Sequence, residues 1–266
     1  MNGQEAARLF DEVRAKRPLV HHITNYVTVN DCANMAICAG AAPVMADAME
    51  EMADMVSIAG ALVLNIGTLN DRLVGSMIAA GRRANELDIP VIVDPVGAGA
   101  TKYRTETVKR LLEELDVAVL KGNAGEIATM AGSDAKVVGV DSHGISGDPV
   151  EICQQYSESL GVTVAMTAPV DVVSDGRRTY LIENGHEMME RVSGTGCMAS
   201  TVVGAFNAVS TDRASACASA LAVLGIAGEK AAVEARGPMS FRTKLFDSMF
   251  NLSAQDVALG SRIKEL

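Results

Sequence analysis

The chain has 266 residues, is 48% hydrophobic and carries a net charge of −10. That length suits one large α/β domain, expected to span residues 1–266, and the acidic balance with no Lys/Arg cluster argues against a nucleic-acid partner. With 3% aromatic residues and no Trp, the core falls to Ala, Val, Leu, Ile and Met, the 14 methionines serving as adaptable filler.

The N-terminal run MNGQEAARLFDEVRAKRP is amphipathic and charged, without the apolar centre of a secretory signal. Residues 18–24 then read as a strand, 29–40 as a small-residue helix and 42–45 as a short strand. A helix follows in MEEMADMVSIA. Residues 61–67 form an apolar strand, 71–88 a helix, 90–99 a strand ending in a Gly-rich turn, 104–115 a helix, 117–123 a strand, and AGEIATMAG a short helix. Residues 139–149 read as a loop. PVEICQQYSESLG reads as a helix, 162–168 as a strand, and VDVVSDG with RTYLIENG as an antiparallel hairpin. From Gly194 onward the pattern is nearly all helical. Apolar strands alternating with helices predict an α/β fold: a mostly parallel sheet, helices on both faces, right-handed crossovers. No run reaches the roughly 18–20 apolar residues that span a bilayer. The five cysteines are odd in number, lack a CxxC pair and show no zinc spacing, so a reducing, cytoplasmic setting is expected. Cys32, Cys38, Cys153 and Cys217 read as buried small hydrophobes.

Open α/β sheets bind ligands beyond the carboxyl ends of their strands, and polar residues gather there. Asn65, Gly67 and Thr68 follow one strand, Asp94 and GAGAT another. Lys121, Asn123 and Glu126 follow a third, Thr167 a fourth, and SGTGC follows the hairpin. Asp94 is either a turn residue before Pro95 or a ligand. Glu126 is either a helix-start charge or a ligand. Together the two carboxylates suit Mg²⁺ held through water. The SGTGC stretch is either a tight turn into a packed helix or an anion cradle; it is neither a P-loop nor a dinucleotide fingerprint.

The order of these motifs resembles the ribokinase-like superfamily of small-molecule kinases. VDPVGAGAT, KGNAGEI, VSGTGCMAS and the long segment HHITNYVTVNDCANMAICAGAAPVMADAMEEM resemble its hydroxyethylthiazole kinase family over essentially the whole chain. The resemblance implies ATP-dependent phosphorylation of a thiazole alcohol in thiamine salvage. Asp94 and Glu126 then match the metal-water carboxylates, and Lys121 and Thr167 the contacts to ATP. Met45 and Gly194 match the contacts to the thiazole alcohol, with Asn25, Gly67 and Thr68 lining the same pocket. Position 121 is often Arg in that family, and a Gly is common where Ala168 stands; Lys lacks the guanidinium's bidentate fork. Cys197 occupies the place of the general-base Asp of related sugar kinases. A helix N-terminus lowers a thiol pKa, so a thiolate is one reading and a small packing residue the other. The resemblance also implies a homotrimer with sites between subunits, Met45 and Asn25 from one chain facing Gly194 and Cys197 of the next. His21 and His22 read as core residues or substrate contacts and stay outside the predicted site. Asp47, Glu50 and Glu51 read as a solvated or subunit-contact face. The rival readings are a kinase for hydroxymethylpyrimidine or pyridoxal, an ATP-dependent dehydratase, and a nucleotide-binding protein without turnover.

Overall fold

A computed structural model describes residues 1–132, 135–138, 141–145 and 147–266. In chain order, α1 (Gly3–Lys16) leads into β1 (Leu19–Ile23), α2 (Val29–Ala39), β2 (Ala42–Val44) and α3 (Met52–Ser57). Then come β3 (Ala61–Asn65), α4 (Asp71–Glu86), β4 (Val91–Asp94), α5 (Lys102–Glu114), β5 (Val119–Asn123) and α6 (Ala124–Met130). A small antiparallel pair, β6 (Ala135–Val138) and β7 (Asp141–Ile145), precedes α7 (Pro149–Leu160) and β8 (Thr163–Thr167). The chain continues through β9 (Asp171–Ser174), β10 (Thr179–Ile182), α8 (Thr195–Asn207), α9 (Arg213–Glu234), α10 (Pro238–Asn251), α11 (Ala254–Gly260) and β11 (Ile263–Glu265).

Nine strands form one sheet in the order β11-β10-β9-β8-β5-β4-β3-β1-β2. From β2 to β8 the neighbours are parallel; β9, β10 and β11 extend that sheet antiparallel. The strands β3, β4 and β5 are buried along almost their whole length, which is why they read as continuous apolar runs. One face packs into a core with α1, α2, α8, α9 and α10, the other into a core with α3 to α7. On the first face α8 comes very close. A β-carbon on Gly204 would lie 2.7 Å from Val63 and 3.2 Å from Val20, so only glycine fits there.

Three expectations are corrected. Within 139–149, residues 141–145 are strand β7, while 139, 140 and 146 lie outside the described residues. The ribbon forms by pairing with β6, apart from the main sheet, so it lacks the apolar run that marks the sheet strands. The expected lack of a bilayer-length segment also fails. The 22-residue α9 is long and apolar enough by composition, but 78% of its most apolar 18-residue stretch is buried inside the protein, as a core helix. Cys38 is only half-buried, unlike Cys32, Cys153 and Cys217.

Candidate active site

The register of the parallel strands builds the site. Asn65 and Asp94 end β3 and β4 directly opposite one another. Both are buried, and Asn65 Nδ2 donates to Asp94 Oδ2 at 2.8 Å. The Asn65 amide cannot turn over. Its Oδ1 accepts the Gly67 N–H at 2.9 Å and the Asn25 Nδ2–H at 2.9 Å, which fixes Nδ2 toward Asp94. Asn25 in turn accepts from the backbone N–H and hydroxyl of Thr28, and its side chain lies directly against Gly67. The Tyr26 N–H donates to Thr68 Oγ1 at 3.2 Å. Gly67 therefore lies against Asn25, and Thr68 against the neighbouring Tyr26 backbone.

The last piece arrives on α8. Gly194 is its N-cap, at φ +95°, where a β-carbon would stand 2.6 Å from the Thr28 methyl; the backbone conformation and the space both select glycine. With no side-chain cap, the first-turn N–H groups of α8 are open to an anion. Cys197 faces the asparagines: Asn65 Nδ2 and Asn25 Nδ2 lie 3.3 and 3.4 Å from its Sγ. One turn on, the Ser200 hydroxyl donates to Asp94 Oδ2 at 2.6 Å. Buried Lys121 donates from Nζ to the Gly196 carbonyl at 3.0 Å, tying β5 to the glycine turn. Thr167, opposite Asn123 in the β5–β8 register, donates to the Gly122 carbonyl, and the Ala168 N–H is held by Asp171.

Glu126 caps a helix and also feels the charge of Asp94. It closes a capping box with Asn123 at the start of α6, and its Oε1 accepts the Gly97 N–H at 2.8 Å, pulling in the loop after β4. Burial, then the charge of Asp94, pushes its carboxyl up to about 7, against the pull of the Gly97 and Asn123 N–H groups. Burial also raises Asp94, with Lys121, Ser200 and Asn65 opposing. Two buried hard-oxygen donors beside a lysine, with backbone N–H groups on both Glu126 oxygens, fit Mg²⁺ held through water better than direct ligation. Among the described residues no group of three or more His, Cys, Asp or Glu is placed to hold a metal.

One reading is favoured and one predicted detail changes. Burial, and then the charge of Asp94, raises the Cys197 thiol pKa, which favours the protonated thiol over the thiolate reading. Asn25 and Cys197 are hydrogen-bonded within one chain, and Thr28 touches Gly194, so Asn25 does not face Cys197 across a subunit boundary. Met45 follows β2, the edge strand beside β1. The histidines are core residues. His21 Nε2 meets the Ala46 carbonyl at 2.9 Å and His22 Nδ1 the Val20 carbonyl at 3.0 Å. Asp47, with Glu50 and Glu51, is exposed, and it pairs with Arg72. Sequence reasoning missed Ser200 and left Asn65 out of the predicted site; a polar residue ending an apolar strand is the only signal that Asn65 offered.

A model of the hydroxyethylthiazole kinase family matches residues 10–255. A hydroxyethylthiazole kinase of Methanocella arvoryzae is 59% identical over 264 residues, covering 99% of each chain. The solved structure of a hydroxyethylthiazole kinase protein from Pyrococcus horikoshii superposes with a TM-score of 0.89 at 41% identity, covering 98% of each chain. A ribokinase-like superfamily protein of Enterococcus faecalis shares the fold, with a TM-score of 0.63 at 12% identity over 91% of this chain and 89% of its own. By sequence over nearly its full length and by fold, this chain belongs to the hydroxyethylthiazole kinase family.

Proposed function

We propose that the protein uses ATP to phosphorylate the hydroxyl of 4-methyl-5-(2-hydroxyethyl)thiazole, a salvage step toward thiamine phosphate, with residues 1–266 acting as one cytoplasmic kinase domain. The observation that carries this reading is the continuous hydrogen-bonded path Asn25–Asn65–Asp94–Ser200, with Cys197 Sγ beside it. It joins the segment that resembles the thiazole pocket to a carboxylate suited to a metal, at the open start of α8.

In this reading the first turn of α8, Lys121 and Thr167 receive the phosphates of ATP, while Asn25, Gly67, Thr68, Gly194 and Met45 border the alcohol. Asp94 and Glu126 would hold Mg²⁺ through water, and that cation, when bound, neutralises charge on the transferred group. Phosphoryl transfer depends mainly on positioning and charge neutralisation, so a protonated Cys197 serves to seat the substrate hydroxyl rather than to act as a resting thiolate. The assembly is a homotrimer in which Met45 reaches the site of a neighbour. ADP release measured against a panel of alcohols tests the reading. The thiazole alcohol should turn over far faster than pyridoxal or hydroxymethylpyrimidine; equal rates on all three would leave only the superfamily.

A further inference from the structure

Arg104, on the first turn of α5, belongs to no predicted motif, yet it sits between the two loops that build the site. Its guanidinium has three carbonyl acceptors. Nη1 donates to Ile66 O at 3.0 Å and to Val96 O at 2.7 Å, and Nη2 donates to Gly67 O at 2.8 Å. Two of these carbonyls belong to the loop after β3, the third to the loop after β4. The side chain also runs against Gly97, where a β-carbon would stand 3.1 Å from its Cδ.

Each loop is tied at its other end to a different half of the site. On the β3 side, Gly67 N–H meets Asn65, and Thr68 meets Tyr26 beside Asn25. On the β4 side, Gly97 N–H meets Glu126, while Gly99 N–H meets Thr105 on α5. A guanidinium is suited to this position. It offers five donors in one rigid plane and stays charged at any working pH, whereas an ammonium is a point donor that cannot span three fixed carbonyls in that plane.

We infer that Arg104 is a positioning residue that makes the loop after β3 and the loop after β4 move as one, so that the alcohol-binding and metal-binding halves of the site are set together. The division into those halves rests on the functional reading above; the coupling of the loops does not. Peptide hydrogen exchange on the full chain, comparing wild type with Arg104→Met and Arg104→Lys, tests it without substrate or metal. In Arg104→Met the peptides covering 65–69 and 95–99 should lose protection together, while the α9 peptides keep theirs. Protection lost from one loop alone, or from neither, overturns the coupling. Should Arg104→Met unfold, as exchange throughout α9 would reveal, Arg104→Lys decides by the same criterion.

A kinetic arm then relates the coupling to function. The KM for the thiazole alcohol and the Mg²⁺ concentration for half-maximal rate should both rise about tenfold in Arg104→Met, the scale of one charged hydrogen bond lost, with the KM for ATP nearly unchanged. Arg104→Lys should recover part of both. A rise in one constant alone counts against the inference. A wild-type protein inert toward the thiazole alcohol would defeat the functional reading, and the exchange comparison would still decide the coupling.

Discussion

Asn65 shows how one side chain can organise a site without any chemistry of its own. Its oxygen is committed to the Gly67 N–H and Asn25, so its nitrogen is committed to Asp94 and Cys197. Truncation to alanine leaves Asp94 Oδ2 with only the Ser200 hydroxyl in a desolvated setting. Asn65→Ala should lower kcat/KM by about 5- to 150-fold, the range expected from about 1–3 kcal/mol for a buried group left unsatisfied. Activity within twofold of wild type, in a variant with unchanged circular dichroism, would reduce the path to a structural one. Asp94 and Cys197 stood out by type, a carboxylate ending an apolar strand and a thiol in a glycine-rich turn, whereas Glu126 stood out only through the KGNAGEI motif that carries the resemblance. Asn65, Ser200 and Arg104 did not stand out, since their importance arises from register between β3 and β4 and from the approach of α8 and α5. The two readings of Cys197 stayed open for a related reason: a helix start is visible in the sequence, and burial beside Asp94 is not.

At the scale of elements, β1 is the most informative strand. It lies between β2 and β3, and successive residues point to opposite faces, so both His21 and His22 are buried. A carbonyl can only accept, so His22 Nδ1 carries the proton given to Val20, leaving its buried Nε2 unpartnered. Complete burial lowers the His22 pKa from 6.5 to about 4. The unfolded chain therefore binds a proton that the folded chain refuses. Stability from this group is full above pH 6.5 and is lost as the pH falls toward 4, by on the order of 3 kcal/mol. Urea unfolding between pH 7 and 4 should show that loss, and His22→Gln should flatten it; equal slopes in both proteins would assign the acid sensitivity elsewhere. The apolar strands were readable because two-sided burial leaves an uninterrupted signature. The ribbon of β6 and β7 was not, because it pairs outside that sheet. Helix α9 carries the same two-sided signature at bilayer length, and only its packing shows what covers it.

For the whole molecule, alternation of strand and helix foretold the layered α/β architecture, and the hairpin foretold the antiparallel extension at β9 and β10. Strand order was beyond reach, because contiguity in sequence does not say that β1 lies between β2 and β3. The proposed trimer gives a complementation test. With Asn25, Gly194 and Cys197 in one chain, Met45 is the residue left for a neighbour to supply. Mixing an inactive Met45→Glu variant with an inactive Gly194→Asp variant, under verified subunit exchange, should restore part of the activity. No recovery, or a monomer in light scattering at assay concentration, would mean that each chain completes its own site.

The close seat of α8 on Val20 and Val63 has a further consequence, for biosynthesis. Those valines belong to the first quarter of the chain, while the helix that covers them ends at Asn207. Because chains emerge from the ribosome N-terminus first, that apolar face stays bare until some three-quarters of the polypeptide has left the exit tunnel. A stalled or truncated translation product ending before α8 should therefore expose that apolar face and be prone to aggregate, rather than persist as a smaller folded protein.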